Sequence, residues 1–109
     1  MKKAVSLMVI IALALCCMAV FGADAKKGAE VYANAKPACK TCHSIGGQGG
    51  KMSTLDGVGA KYTADALKKW IRTPKEAKAG SKMITAYGPD KISDADLEDL
   101  VAYMLTLKK

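Results

Sequence analysis

Apolar and polar positions alternate in blocks along this chain, and each block predicts an element. Ala4 to Phe21 is an apolar run interrupted only by Ser6, with Lys2 and Lys3 before it and Ala23-Asp24-Ala25 after it. A positive start, an apolar stretch and an A-x-A site are the parts of an export signal, so cleavage after Ala25 is expected, with residues 26–109 left as one domain. The 18-residue run also reaches the lower length limit for spanning a bilayer, so an uncleaved membrane anchor is the alternative.

Beyond that run the period is helical. Residues 26–35, with Val31 and Tyr32 apolar, predict a short helix that ends before Pro37. Thr63 can cap a second helix that runs to Thr73 and is stopped by Pro74; Leu67, Trp70 and Ile71 fall at i, i+3 and i+4, while Lys68, Lys69 and Arg72 face outward. Ser93 and Asp96 form an S-x-x-D capping signal for a last helix striped by Leu97, Leu100, Val101, Met104 and Leu105. Asp94 and Asp96 suit the positive start of that helix, and Lys108 and Lys109 suit its end. Between these elements, residues 46–59 hold six glycines and 74–92 are punctuated by Pro74, Gly80, Gly88 and Pro89, so both stretches predict loops. No run alternates in the manner of a strand, and the expected fold is a small all-α domain.

Size and charge narrow the function. Eighty-four residues bury a small core, and the aromatic residues are only Tyr32, Tyr62, Trp70, Tyr87 and Tyr103, so a bound ligand would have to complete the interior. Residues 26–109 carry 15 basic and 9 acidic side chains, with 12 of the basic ones between Lys26 and Lys82. Five acids lie between Asp90 and Asp99. No aromatic–basic interleaving or nucleic-acid motif accompanies the excess, which points to an acidic protein surface as partner or to a solvated face.

Cys39-Lys40-Thr41-Cys42-His43 carries the chemistry. Two thiols three residues apart can form thioethers with the two vinyl groups on one porphyrin edge; in a helical turn the next residue shares their face and offers imidazole to the iron. Rival readings need partners that the domain lacks. A structural zinc site takes four ligands, and only these three Cys and His residues exist after residue 25. A redox dithiol wants a βαβ frame, and a disulfide over so short a loop would constrain little of the unfolded chain. Because His43 is the only histidine, the sixth iron position falls to methionine, lysine, an exogenous ligand or none. Met104 lies on a core stripe. Met52, nine residues from His43, is within reach, and Met83, in an irregular segment that can fold over the opposite face, is favoured. Trp70 is a core anchor or, through its indole N–H, a haem propionate donor.

With these residues the chain resembles the class I c-type cytochromes, small monohaem electron carriers. The resemblance covers residues 26–109 and rests on Cys39–His43, Leu55-Asp56-Gly57-Val58-Gly59, the segment 67–74, Lys82-Met83 and Asp96–Tyr103. It implies three to four helices wrapped around one covalently bound haem c with its iron. It also implies a crossing of the first and last helices at Gly28, Tyr32, Leu100 and Tyr103, His43 and Met83 as axial ligands, and a His43 ring N–H donated to a backbone carbonyl. Two positions depart from the family pattern: Met52-Ser53 stands where Gly-Pro is common, and Ile84 stands where a proline often follows the distal methionine.

The expected function is a periplasmic, monomeric electron carrier with no catalytic residues. It would dock acidic redox partners through a rim containing Lys36, Lys40, Lys51, Lys75 and Lys82, with no nucleic-acid partner and no stable membrane insertion once the signal is removed. The alternatives are a membrane-tethered haem subunit of an oxidoreductase and an open-site ligand binder or peroxidase.

Overall fold

The protein is represented by a computed structural model that describes residues 22–83 and 85–109. The apolar run 4–21 lies outside the described residues; among those described, no helix is long and apolar enough to cross a membrane. The elements follow in chain order: α1 (Ala25–Asn34), a 3-10 turn (Cys39–Thr41), β1 (His43–Ile45), β2 (Gln48–Gly49), β3 (Ser53–Thr54), α2 (Val58–Lys61), α3 (Ala64–Arg72), α4 (Pro74–Ala77) and α5 (Asp94–Leu105).

The three expected helices form within about a residue of their expected limits; the second and third carry the caps the sequence offers, whereas the first is capped by Asp24, a residue expected to leave with the signal. The Thr63 hydroxyl accepts from the Ala66 N–H at 3.2 Å, and the Ser93 hydroxyl accepts from the Asp96 N–H at 3.1 Å. Pro74 both stops α3 and opens α4, because its fixed φ and missing N–H suit the first helical position. α5 ends at Leu105 with Thr106 as its cap, so Lys108 and Lys109 lie past the helix and not in its last turn.

Two features depart from the all-helical expectation. α2 and α4 are additional single turns of four residues, which brings the described helices to five. The glycine-dense stretch also holds a small sheet of order β2-β1-β3. Its hairpin pairs Ile45 with Gln48 across Gly46 and Gly47, whose φ values of 59° and 80° match a two-residue turn with positive φ at both positions. The Gly46 N–H is held by the Asp56 carboxylate at 2.9 Å.

The core gathers Tyr32 from α1, Leu67 and Ile71 from α3, Leu97, Leu100, Val101 and Met104 from α5, and Leu55, Tyr87 and Ile92 from the loops. Four of the five residues expected on the α5 stripe are buried; Leu105 is half-buried. α1 and α5 cross at Gly28, where a Cβ would lie 1.9 Å from the Asp99 carbonyl oxygen and 2.7 Å from the Tyr103 Cβ. Tyr32 packs against Tyr103 with ring centroids 6.0 Å apart. This is the crossing that the resemblance implied.

Candidate haem site

The attachment peptide is one tight turn. The Thr41 N–H bonds to the Ala38 carbonyl at 3.0 Å and the Cys42 N–H to the Cys39 carbonyl at 3.2 Å. Cys39 is half-buried against the core, Cys42 is exposed, and the two thiols are not paired with each other. The glycine-dense loop wraps this peptide itself. The Gly50 N–H reaches the Lys40 carbonyl at 2.8 Å and the His43 carbonyl at 3.1 Å, and the Met52 N–H reaches the Cys42 carbonyl at 3.0 Å.

His43 is the first residue of β1 and not a continuation of the turn. Its parallel pairing with Ser53 brings the Ser53 carbonyl to 3.2 Å from the imidazole Nδ1. A carbonyl only accepts, so Nδ1 carries the proton and Nε2 keeps its lone pair for a metal. Ser53 therefore fulfils the carbonyl role without the common Gly-Pro pair. From the other side, the Tyr32 hydroxyl of α1 donates to the His43 carbonyl at 3.2 Å.

The three methionines after residue 25 are sorted by burial. Met104 is 6% exposed within the core on α5, as expected of the stripe, and Met52 is 68% exposed. Met52 also adjoins Ser53, so its backbone lies on the Nδ1 side of His43 and not beside Nε2. Met83 is half-buried and packed against the core, and its N–H is held by the Ser81 hydroxyl at 3.2 Å. Trp70 lies outside the buried core, contrary to its reading as a core anchor; it is half-buried and meets Tyr62 edge-on with centroids 6.4 Å apart.

The loop that carries Met83 is tied down by residues the sequence did not single out for this role. The Tyr87 N–H bonds to the Ile71 carbonyl at 2.9 Å, and its hydroxyl donates to the Pro37 carbonyl just ahead of Cys39. Arg72 donates to the Tyr87 and Ile92 carbonyls at 2.8 and 2.6 Å and to the Asp94 carboxylate at 2.9 Å. These bonds join α3, the methionine loop and the start of α5. Their only sequence signals were an aromatic residue shortly after Met83 and a basic residue at a helix end.

A family model for cytochrome c matches residues 25–108. The chain belongs to the cytochrome c family. A solved structure titled as the crystal structure of SoxXA from P. pantotrophus is similar in fold, with a TM-score of 0.64 over 80% of this chain and 83% of that chain at 24% identity. No curated protein matches the chain.

As a cytochrome c, the protein carries covalently bound haem c with its iron and serves haem-based electron transfer. The residues present fit that group: two free thiols on one turn and an imidazole whose Nε2 is left unprotonated by the Ser53 bond. Bound haem supplies a one-electron iron couple whose potential depends on its axial ligands and burial. The chain's own part is to hold the imidazole at a fixed tautomer and angle through the Ser53 carbonyl.

Burial pushes the Cys39 thiol above its ordinary pKa, with the neighbouring Tyr87 hydroxyl pulling the other way. With the thiols free, burial reinforced by the cysteine charges pushes the Tyr87 phenol up to about 12; once both cysteines are thioethers, burial, the largest cause, is what still raises it. A phenol raised in the folded cytochrome binds its proton more tightly than in the unfolded chain. Its stabilising effect is thus complete below about pH 10 and is lost as pH rises through about 12. Tyr87→Phe should therefore flatten the fall in melting temperature between pH 10 and 12; an unchanged slope would count against this account.

Proposed function

We propose that this cytochrome is an exported, periplasmic single-electron carrier. Cys39 and Cys42 hold the porphyrin as thioethers, and His43 and Met83 ligate the iron. The observation that carries the reading is the bond from His43 Nδ1 to the Ser53 carbonyl, which leaves Nε2 for the iron and turns the Met52–Ser53 segment away from the opposite face. Met83, half-buried in a loop anchored at Tyr87, is the thioether that remains for that face. Trp70, outside the core, is available to a haem propionate through its indole N–H.

Partner docking follows from charge. Lys36, Lys40, Lys51, Lys75 and Lys82 are exposed, and the ion pairs among the described residues, Lys68–Glu98 and Arg72–Asp94, include none of them. A surface of free lysines attracts an acidic redox partner over distances that salt shortens from about 30 Å at 0.01 M to about 8 Å at 0.15 M. Electron-transfer rates with an acidic partner should fall on the order of tenfold over that range. Rates independent of salt would overturn docking by charge. For the ligation, the oxidised protein should show the far-red methionine–iron charge-transfer band.

A further inference from the structure

We infer that the leader is removed ahead of Asp24, at Gly22 or Ala23, and that the new N-terminal segment is seated on the carboxylate of Asp99. The inference rests on the export reading and shifts its cleavage point from the A-x-A site that ends at Ala25.

Asp24 belongs to the folded domain. Its backbone N–H donates to Asp99 Oδ1 at 2.8 Å, and Asp99 is only 7% exposed in the middle of α5. Its own carboxylate accepts from the Lys26 and Lys27 N–H groups at 2.9 and 3.4 Å, and its carbonyl accepts from the Gly28 N–H at 2.9 Å. Cleavage after Ala25 would remove all four bonds. It would also place a new ammonium group on Lys26, at the positive end of a helix whose first turn holds Lys26 and Lys27 and no acid. The buried Asp99 oxygen would lose its donor, and the first turn of α1 cannot move away to find another, because Gly28 pins it against the Asp99 carbonyl.

Cleavage two or three residues earlier preserves these contacts. Gly22 and Ala23 are exposed, and either supplies the small residue directly before the cut, with Val20 or Phe21 in place of the first alanine of A-x-A. Hydrolysis by a signal-processing peptidase adds water across the Gly22–Ala23 or Ala23–Asp24 amide, leaving a carboxylate on the leader and an ammonium on the domain. If Asp24 is the first residue, that ammonium replaces the amide facing Asp99 and the bond becomes charge-assisted.

The test is the intact mass and N-terminal sequence of the haem-bearing protein recovered after export of the full chain in a bacterial host. A start at Ala23 or Asp24 is expected. A start at Lys26 or beyond would overturn this inference and leave the export reading standing, whereas retention of the chain from Met1 would fail both. Independently, a form starting at Lys26 should melt roughly 5–10 °C below one starting at Ala23. Asp99→Leu, which removes the acceptor, should lower the melting point of the Ala23 form more than that of the Lys26 form, where the carboxylate already lacks this donor. Equal melting of the two forms would overturn the seating of Asp24 on Asp99.

Discussion

Replacing Met83 with alanine should abolish the far-red methionine–iron band of the oxidised protein, lower its reduction potential by on the order of 0.1–0.3 V and open the reduced protein to carbon monoxide. The expectation comes from how the structure separates the methionines. Met104 is locked in the core by α5, and Met52 points its exposed thioether from a segment whose next residue is bonded to the protonated side of His43. Met83 alone of the three is half-buried in a loop, and that loop is fixed at Ser81 by a hydroxyl and at Tyr87 by bonds to Ile71 and Pro37. The fold should tolerate the change at a cost of about 1–2 kcal/mol, since the side chain is only partly buried. Met52→Ala should leave the band untouched. If the band survived Met83→Ala and vanished in Met52→Ala, the ligand assignment would pass to Met52.

The second large effect is expected at Gly28. Substitution by alanine should destabilise the protein by about 2–4 kcal/mol and lower its melting temperature by roughly 10–25 °C. Two opposing terms meet at this position. Alanine favours the helix over glycine by about 1 kcal/mol, so an isolated α1 would gain from the change. In the protein, the added Cβ would fall 1.9 Å from the Asp99 carbonyl oxygen and 2.6 Å from its carbonyl carbon, and backbone on a buried helix cannot yield as a side-chain tip does. α1 and α5 would have to separate, which disturbs the Tyr32–Tyr103 contact and the bond from Tyr32 to the His43 carbonyl. The crossing term therefore wins, and the haem spectrum should report it through His43 as well as the melting curve. A stabilised Gly28→Ala would show that the two helices do not meet as closely as this.

Much of the fold is legible in the sequence. The stripe from Leu97 to Met104, the hydroxyls of Thr63 and Ser93 and the stop at Pro74 are local signals, and each acts within a turn or two of its own position. The hairpin was not read, although Gly46-Gly47 between Ile45 and Gln48 is a recognisable turn signal; the strands are only two or three residues long and too short to show alternation. Asp99 was counted among the acids of the last helix, with no sign that it is buried, because its partner, the Asp24 amide, lies 75 residues away.

The same division holds at the site. The sequence alone determined the chemistry: two thiols and one imidazole at the spacing of thioether attachment, in a chain with no second histidine. It also reduced the sixth ligand to a few side chains, since methionines are few. The tertiary structure decided which nitrogen of His43 is left free to bind a metal, because the carbonyl that sets its tautomer belongs to Ser53 on another strand. It likewise decided the difference in burial between Met52 and Met83 and the clamp formed by Tyr87 and Arg72. Residue identity and spacing specify what a segment can bond to, whereas the direction of a lone pair or a thioether depends on partners that only chain folding brings within hydrogen-bonding distance.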